Sequence, residues 1–343
     1  MSRENLIRDF VNNIDEWRGA NIKMIAGDAS FRKYYRITKD GRSNIIMDAP
    51  PDYEDVKPFI KIAEFLIKHN FSAPKILATD INNGLLLLED FGDDRYTQIL
   101  NGNLKDNENS PSEHELYNSA IDALIDLHKI SVSNETTQYD EVILTREIEL
   151  FSSWYLPLIG INDETAKQEY KDIWIKLLPH CHSEQKVLVL RDYHADNLMW
   201  LPKREGIKKV GLLDFQDALI GSPAYDLMSL LEDARRDVDK KLADEMIEYY
   251  IQKSGINREE FINSYHILAA QRNCKILGIF ARLYVRDGKE NYLSFLPRVW
   301  NYLEQDLEHP YLEELKIFFN KYVGKDVRTT MPNFRNETGA DCA

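Results

Sequence analysis

The chain has 343 residues, of which 43% are hydrophobic and 29% charged, and its 43 Lys and Arg against 57 Asp and Glu give a net charge of −14. This balance is typical of a globular protein with room for two lobes, and the three cysteines show neither disulfide nor metal-binding spacing. The acidic excess argues against a nucleic-acid partner, and the lack of a long apolar run or an apolar N-terminal signal argues against a membrane, which favours a cytoplasmic protein.

The first 90 residues predict a small lobe built on an antiparallel sheet. Apolar residues at helical spacing alternate there with short strand-like runs bounded by Gly, Pro, Asn and Asp. The order is helix, three strands, helix, two strands, and the following segment, 89–92, is expected to be the hinge to a second lobe. The predicted helices are 3–17 and 54–69, and the predicted strands are 22–26, 33–38, 44–47, 75–79 and 85–88.

The remaining chain predicts a larger, mainly helical lobe over 91–323. Apart from a polar, turn-rich surface loop at 101–114, its apolar residues mostly recur at helical spacing. Residues 324–343 are polar and predict a loose tail. The predicted fold class is therefore α+β, with a two-lobe architecture whose small lobe is 1–90. The predicted helices of the second lobe are 113–130, 145–157, 164–178, 224–251, 258–287 and 294–305.

Two neighbouring segments carry most of the functional information. Asp192 is followed five residues later by Asn197, and Asp214 comes directly after a strand-like run, 209–213, beyond a predicted hairpin turn at 203–206. Phosphoryl transfer requires a carboxylate near the acceptor hydroxyl and oxygen ligands that hold Mg²⁺ against the nucleotide phosphates. The spacing therefore predicts a kinase-type phosphotransferase with Asp192 as the catalytic carboxylate and Asn197 and Asp214 as metal ligands. The alternative is that all three are ordinary turn or strand-end residues.

The turn between the first two predicted strands, 27–32, is a candidate phosphate-binding element. Its small residues would let backbone amides approach phosphate oxygens, although an ordinary hairpin turn is the alternative. The third strand, 44–48, lacks the Lys that kinases usually carry there, so another cation is needed. Arg32 is preferred over Lys33 and Arg36 because it borders the turn. The residues assigned to the nucleotide site are Ser30, Phe31, Arg32 and Glu89.

A basic stripe on the predicted helix 264–287 is the best indication of the acceptor. Its four cations fall within an arc of about 80° if each residue turns by about 100°. Two apolar residues share that face, so a freely solvated stripe is not expected. A basic stripe in an acidic chain suggests an anionic ligand such as a carboxylate or a phosphate, and ion pairing with acidic helices is an equal alternative. The four cations are Arg272, Lys275, Arg282 and Arg286.

Three further residues have weaker assignments. Glu147 and Trp154 lie on a predicted helix that mixes carboxylates with aromatic residues, which bind sugar hydroxyls and stack on sugar rings respectively. Packing in the core is the alternative for both. Asp226 follows Asp214 by 12 residues and is expected to support the catalytic loop by accepting its backbone amides.

With these residues the chain resembles the aminoglycoside phosphotransferase and choline-kinase-like superfamily. Within it, the chain is most similar to bacterial anomeric kinases of N-acetylmuramate and N-acetylglucosamine that act in cell-wall recycling. The absent third-strand Lys fits this subgroup, whereas Leu190 stands where many kinases have His. The segments that carry the resemblance are GDASFRKYYRI (27–37), MDAPP (47–51), LLLLEDFGD (85–93), LRDYHADNLMWL (190–201), LLDFQDALIGSPAYDL (212–227) and QRNCKILGIFARLYVRDGK (271–289).

We predict a monomeric two-lobe kinase that binds ATP, which the resemblance implies is the donor, between its lobes. The resemblance implies that Asp192 is the catalytic base, that Asn197 and Asp214 hold Mg²⁺, and that the product is a sugar 1-phosphate. Two alternatives stay open. One is a kinase of the same fold for another hydroxyl acceptor, such as an aminoglycoside or choline, against which the basic stripe argues. The other is a nucleotide-binding pseudokinase with a regulatory role, which only the absent Lys supports.

Overall fold

The computed structural model describes residues 2–27, 31–102, 110–132, 136–181 and 185–330. They fall into two compact units, each formed by two stretches of chain. The first unit comprises the described residues of 1–126 and 190–218, and the second comprises those of 127–189 and from 219 onward. None of the described helices combines the length and the apolar composition that a membrane crossing needs. The lobe boundary at residue 90 and the monomeric state stay predictions.

The secondary structure alternates between the two units along the chain. In chain order the helices are α1 (Arg3–Asn12), α2 (Lys57–Lys68), α3 (Tyr96–Leu100), α4 (Glu113–Leu127), α5 (Glu141–Leu150), α6 (Leu156–Leu158), α7 (Glu164–Leu177), α8 (Ala224–Leu231), α9 (Lys240–Ser254), α10 (Arg258–Asp287), α11 (Leu296–Asp306), α12 (Glu313–Tyr322) and α13 (Lys325–Thr329). The strands are β1 (Asn21–Gly27), β2 (Lys33–Lys39), β3 (Arg42–Asp48), β4 (Ile76–Asp80), β5 (Leu85–Glu89), β6 (Val187–Val189), β7 (Leu198–Trp200), β8 (Val210–Leu212) and β9 (Leu219–Gly221).

The first unit is built on the five-stranded sheet that the sequence predicts. The strand order is β1-β2-β3-β5-β4, and every neighbouring pair is antiparallel. Helix α1 packs Ile7 and Val11 against the sheet, where Ile37 and Ile46 are fully buried. Burying these apolar side chains is the main favourable contribution to the stability of this layer.

Gly84 shapes the connection between β4 and β5. Its φ is +66°, and a Cβ at this position would lie only 1.9 Å from the carbonyl oxygen of Ala49. A residue with a side chain therefore cannot replace it without moving the backbone. The Gly84 carbonyl accepts a hydrogen bond from the Ala49 amide at 2.9 Å, which ties the end of β3 to this turn.

The predicted hairpin after residue 197 also belongs to the first unit. Strands β7 and β8 are antiparallel, with Leu198 opposite Leu212 and Trp200 opposite Val210. The Leu212 amide donates to the Ser72 carbonyl at 2.7 Å, so the hairpin is attached to the segment that precedes β4. The structure thus confirms the two strands that the sequence placed on either side of the turn.

The second unit is mostly helical and surrounds α10. This helix of 30 residues contacts α5, α8 and α11. A Cβ at Gly278 would meet the backbone of Leu150 and Phe151 at 2.3–2.5 Å, so only Gly allows this close approach of the two helices. The short strands β6 and β9 pair within the same unit. The predicted α+β class is confirmed.

Some predicted boundaries are wrong. The sequence predicts one helix over 224–251, whereas the structure has two, because the Asp239 side chain caps the N-terminus of α9 by accepting from the Lys241 and Leu242 amides. The predicted helix 145–157 is α5 followed by one π-helical segment, Phe151–Tyr155, and α6.

The predicted loose tail also begins too early. Residues 325–329 form α13, whose Arg328 is 2% exposed and donates to the Val323 carbonyl at 2.8 Å. The charge of Arg328 is met by Glu304 of α11, with which it forms an ion pair. Residues 331–343 of the predicted tail and 103–109 of the predicted surface loop lie outside the described residues.

Candidate active site

The loop after β6 presents Asp192. The Asp192 amide donates to the Leu190 carbonyl at 2.9 Å, and Arg191 between them has a φ of +71°, a left-handed conformation that non-glycine residues rarely adopt. Tyr193 is buried, and its hydroxyl donates to the Ala120 carbonyl of α4 at 2.8 Å. These contacts hold the loop in a tight shape while Asp192 itself remains partly accessible.

The structure brings Asn197 next to Asp192 and next to the segment that carries Asp214. The Asn197 side-chain amide donates to the Asp192 carbonyl at 3.0 Å, and the Asn197 carbonyl accepts the Leu213 amide at 3.0 Å. Because Nδ2 of Asn197 is used in this way, its Oδ1 is the amide atom available to a cation. The sequence prediction that these residues share one site is therefore consistent with the backbone geometry.

Asp214 is held in a strained conformation by its neighbours. Its φ is +56°, and Phe215, which is fully buried, stacks on Phe59 of α2 with ring centroids 4.9 Å apart. The Gln216 side-chain amide donates to Asp214 Oδ1 at 2.9 Å. Strain of this kind persists only where the surroundings determine it, and it is concentrated at functional sites.

These oxygen donors fit a magnesium ion. Mg²⁺ prefers a few protein oxygens and retains water and phosphate ligands. Asn197 and Asp214 lie at neighbouring ends of β7 and β8 and supply one amide and one carboxylate group. The donor set is that of a phosphate-associated cation rather than of a closed structural metal centre, which would need several more protein ligands.

Arg32 is the cation that meets this carboxylate. Its Nη2 lies 3.1 Å from Asp214 Oδ1, and the arginine is only 8% exposed. Burial opposes the guanidinium charge, but Tyr34, Asp214, Glu54 and Asp217 outweigh it and raise the pKa of Arg32. A desolvated guanidinium of this kind is well suited to bind phosphate oxygens.

The contacts of the other residues assigned to the nucleotide do not point to a nucleotide site. Phe31 is 59% exposed and stacks on Tyr53, and Ser30 lies outside the described residues. The Glu89 carboxylate pairs with Arg204 at 2.6 Å, so its side chain is already engaged within the first unit. Nucleotide roles for these three residues stay predictions.

Strand β3 carries no lysine, and Asp48 at its end does not take the place of one. This carboxylate is 2% exposed and forms an ion pair with Arg3 of α1, with a second contact from Arg3 Nε at 3.0 Å. The pair neutralises Asp48 inside the sheet layer. Arg42, the cation of β3, pairs with Glu16, so Arg32 remains the candidate for the missing charge.

Glu147 and Lys275 bind each other in the second unit. Lys275 Nζ lies 2.9 Å from Glu147 Oε1, and their side chains are 13% and 8% exposed. Tyr139 also donates its hydroxyl to Glu147, and the Gln271 amide donates to the same carboxylate at 3.2 Å. For these two residues the structure favours the alternatives of ion pairing and core packing over direct acceptor binding.

The three arginines of the stripe differ in their surroundings. Arg286 is exposed and forms two hydrogen bonds with Asp287, and Arg272 is 5% exposed. Arg282 is half-buried, and its Nε is buried without a hydrogen bond among the described residues. Burial, followed by the neighbouring Arg286, lowers the pKa of Arg282, which indicates an incompletely compensated cation. Arg282 is the member of the stripe best prepared for an anionic ligand.

Trp154 and Asp226 remain candidates on their position alone. Trp154 is half-buried within the π-helical segment, so part of its ring surface is accessible. Asp226 is fully buried in the first turn of α8. The acceptor and support roles assigned to them stay predictions.

Several residues at the site were not expected from the sequence. Gln216 binds Asp214, Arg204 binds Glu89, and Arg36 forms ion pairs with Asp90 of the expected hinge and with Asp93, which follows it. The sequence offers Arg36 only as a candidate phosphate-binding cation. Gln216 follows Asp214 by two residues and could have been found from the sequence, whereas Arg204 lies 115 positions from Glu89.

Curated relatives match this chain over most of its length. A Caulobacter vibrioides protein named N-acetylmuramate/N-acetylglucosamine kinase is 36% identical, and the match covers 89% of this chain and 92% of the relative. A Pseudomonas aeruginosa protein of the same name is 37% identical, with 84% of this chain and 85% of the relative covered.

Solved structures of two further kinds resemble this fold. An ADP-bound aminoglycoside phosphotransferase has a TM-score of 0.59 at 15% identity and covers 89% of this chain and 98% of its own. A choline/ethanolamine kinase family protein from Mesorhizobium loti has a TM-score of 0.62 at 11% identity and covers 93% of this chain and 100% of its own. At such low identity the likeness establishes the protein-kinase-like fold alone.

The family assignment agrees with the predicted fold. The profile of the phosphotransferase enzyme family matches residues 21–262, a range that includes Asp192, Asn197 and Asp214. The chain belongs to the phosphotransferase enzyme family and is an ATP-dependent small-molecule kinase.

Proposed function

We propose that the protein phosphorylates the anomeric hydroxyl of N-acetylmuramate, of N-acetylglucosamine, or of both, and thereby forms a sugar 1-phosphate for cell-wall recycling. The observation that carries the proposal is the match over most of the chain to relatives named as kinases of these two amino sugars. The arrangement of Asp192, Asn197 and Asp214 supports the phosphoryl-transfer part of the proposal.

Asp192 is assigned the role of the catalytic base. Its carboxylate would orient the anomeric hydroxyl and accept its proton as the new O–P bond forms and the bond between the β- and γ-phosphates of ATP breaks. ADP leaves, and the proton passes from Asp192 to solvent. Most of the acceleration would come from positioning and charge stabilisation, because a loose phosphoryl-transfer transition state requires little covalent assistance.

Asn197 and Asp214 would hold Mg²⁺, which neutralises the phosphate oxygens when bound. Arg32 already lies 3.1 Å from Asp214, so its guanidinium could contact phosphate groups bound to a metal ion at that carboxylate. We assign to Arg32 the charge that the third-strand Lys supplies in most kinases.

An anionic acceptor group would find a partner in Arg282. N-acetylmuramate carries a carboxylate that N-acetylglucosamine lacks, and Arg282 is a half-buried cation with a buried Nε that makes no hydrogen bond among the described residues. A carboxylate accepts hydrogen bonds from a guanidinium in a favourable planar geometry. A cationic aminoglycoside would be repelled by the same group.

ATP consumption by the purified protein with Mg²⁺ tests the proposal directly. The acceptor panel contains N-acetylmuramate, N-acetylglucosamine, choline and kanamycin, and ³¹P NMR locates the phosphate on the product. A 1-phosphate of either amino sugar is the expected result. Phosphorylation of choline or kanamycin alone would contradict the proposed amino-sugar acceptor. ATP binding without turnover of any acceptor would favour a regulatory pseudokinase.

A further inference from the structure

Two exposed aromatic side chains stack on each other beside Arg32. The rings of Phe31 and Tyr53 lie with centroids 4.3 Å apart and an interplanar angle of 15°. Phe31 is 59% exposed and Tyr53 is 65% exposed, so neither ring belongs to the hydrophobic core. Side chains this exposed contribute little through burial, so the stacking contact is the main interaction between these two residues.

The turn that carries Tyr53 is rigid. The sequence Pro50-Pro51 restricts the backbone, and the Tyr53 and Glu54 amides both donate to the Pro50 carbonyl at 3.0 Å. The preceding residue, Ala49, is tied to the β4–β5 connection through its hydrogen bond to Gly84. These hydrogen bonds thus fix the backbone that carries Tyr53, just after the end of β3.

The stacking contact links the turn of Tyr53 to Phe31, which directly precedes Arg32. Phe31 is exposed whereas Arg32 is 8% exposed, so the two neighbouring side chains point to different environments. A stacked Phe31 restricts rotation of the backbone that carries Arg32, whose Nη2 lies 3.1 Å from Asp214. Glu54, on the same turn as Tyr53, adds a favourable charge interaction with Arg32.

We propose that Tyr53 is a positioning residue that acts through Phe31 to hold Arg32 at the phosphate-binding end of the site. The proposal rests on the proposed function in assigning Arg32 to the phosphates, but not on which acceptor is phosphorylated. Stacked aromatic pairs contribute enough beyond their burial to change affinity by about two- to tenfold. Removing either ring should therefore weaken binding of phosphate-bearing nucleotides by about that factor.

A double-mutant cycle read out by calorimetric titration tests the proposal. Wild type, Tyr53→Ala, Phe31→Ala and the double variant are titrated with ATP and Mg²⁺, and separately with adenosine. We expect each single variant to lose about two- to tenfold in ATP affinity. The double variant should lose no more than the single variant with the larger loss, and the affinity for adenosine should stay unchanged. Tyr53→Phe keeps the ring and should bind ATP like wild type.

Leu77→Ala serves as the matched control. Leu77 is 51% exposed on β4 in the same unit, and its truncation should change neither nucleotide affinity. Wild-type ATP affinity in Tyr53→Ala, effects that multiply in the double variant, or an equal loss for adenosine and ATP would each overturn the proposal. A wild-type protein that binds ATP but phosphorylates no amino sugar would contradict the proposed function and leave this test intact.

Discussion

Arg32 Nη2 lies 3.1 Å from Asp214 Oδ1, which joins the start of β2 to a carboxylate 182 positions later in the chain. Arg32 is buried and Asp214 has a strained backbone, so both partners are held in place at some energetic cost. Because β3 carries no lysine, Arg32 is the cation that we propose for the phosphate charge.

Replacing Arg32 should impair the use of ATP severely. We expect Arg32→Ala to lower kcat/KM for ATP by about 10²–10³-fold, the range seen when one preorganised charge-stabilising group is lost. Arg32→Lys should retain part of the activity, since it keeps the charge but not the planar donor fork. Lys33→Ala is the control, because Lys33 is exposed and adjacent. A larger loss in Lys33→Ala would show that the cation was assigned wrongly.

Removing the Asp192 carboxylate should lower turnover severely while leaving ATP binding nearly intact. We expect Asp192→Asn to lower kcat by about 10²–10⁴-fold, because general-base assistance is lost while the loop keeps its Tyr193 anchor. Steady-state kinetics and calorimetric ATP titration measure the two effects. Asp196→Asn, in the same loop, is the control carboxylate. Near-wild-type turnover of Asp192→Asn would exclude it as the catalytic base.

Arg282 should distinguish the two amino sugars. Arg282→Ala is expected to raise the KM for N-acetylmuramate by about tenfold or more, the usual value of a charge-assisted hydrogen bond, and to leave the KM for N-acetylglucosamine within about twofold. Arg286→Ala is the matched control, because Arg286 lies one turn away and is already paired with Asp287. Equal changes in KM for both sugars would contradict a contact between Arg282 and the carboxylate of N-acetylmuramate.

Loss of the Glu147 side chain should lower the stability of the protein rather than its affinity for the acceptor. Glu147→Ala leaves Lys275 as a buried charge without its carboxylate, and breaking such a pair costs about 3–5 kcal/mol. Asp244→Ala breaks the exposed pair with Lys240 and should cost less than about 1 kcal/mol. Urea unfolding monitored by circular dichroism compares the two variants. A Glu147→Ala protein of normal stability that binds the sugar weakly would restore the acceptor role.

A buried carboxyl pair should make stability fall as the pH rises. Asn273 Nδ2 donates to Glu232 at 2.8 Å and to Asp306 at 3.3 Å. Burial raises the pKa of both carboxyl groups well above the ordinary range, and repulsion from Asp306 raises the pKa of Glu232 further. The folded state then holds more protons than the unfolded chain from about pH 4 up to the raised pKa values, so stability is lost through that window.

The test is the free energy of unfolding as a function of pH. Each extra proton of the folded state contributes a slope of up to about −1.4 kcal/mol per pH unit, and Asp306→Asn should flatten the decline. The measurement covers about pH 4 upward. Burial lowers the pKa of the neighbouring His266, whose effect on stability has the opposite sign, so wild type and Asp306→Asn are compared at each pH. Parallel curves for the two proteins from about pH 4 upward would contradict the prediction.

The sequence by itself determined the sheet of the first unit and the hairpin that follows Asn197, and it singled out Asp192, Asn197 and Asp214 as candidates. These features depend on residues close together in the chain, such as alternating apolar runs, turn residues and the spacing from Asp192 to Asn197. Local preferences of this kind are strong where strands are short and turns are marked by Gly, Pro, Asn and Asp.

Only the tertiary structure decided which charges are compensated. The sequence placed Lys275 and Glu147 in two different candidate groups, and folding pairs them across 128 positions. It ranked the cations of α10 together, and folding distinguishes Arg286, paired with Asp287, from Arg282 with its buried Nε. Burial and the distance between side chains determine whether a charge is available to a ligand, and both depend on which distant segments pack together.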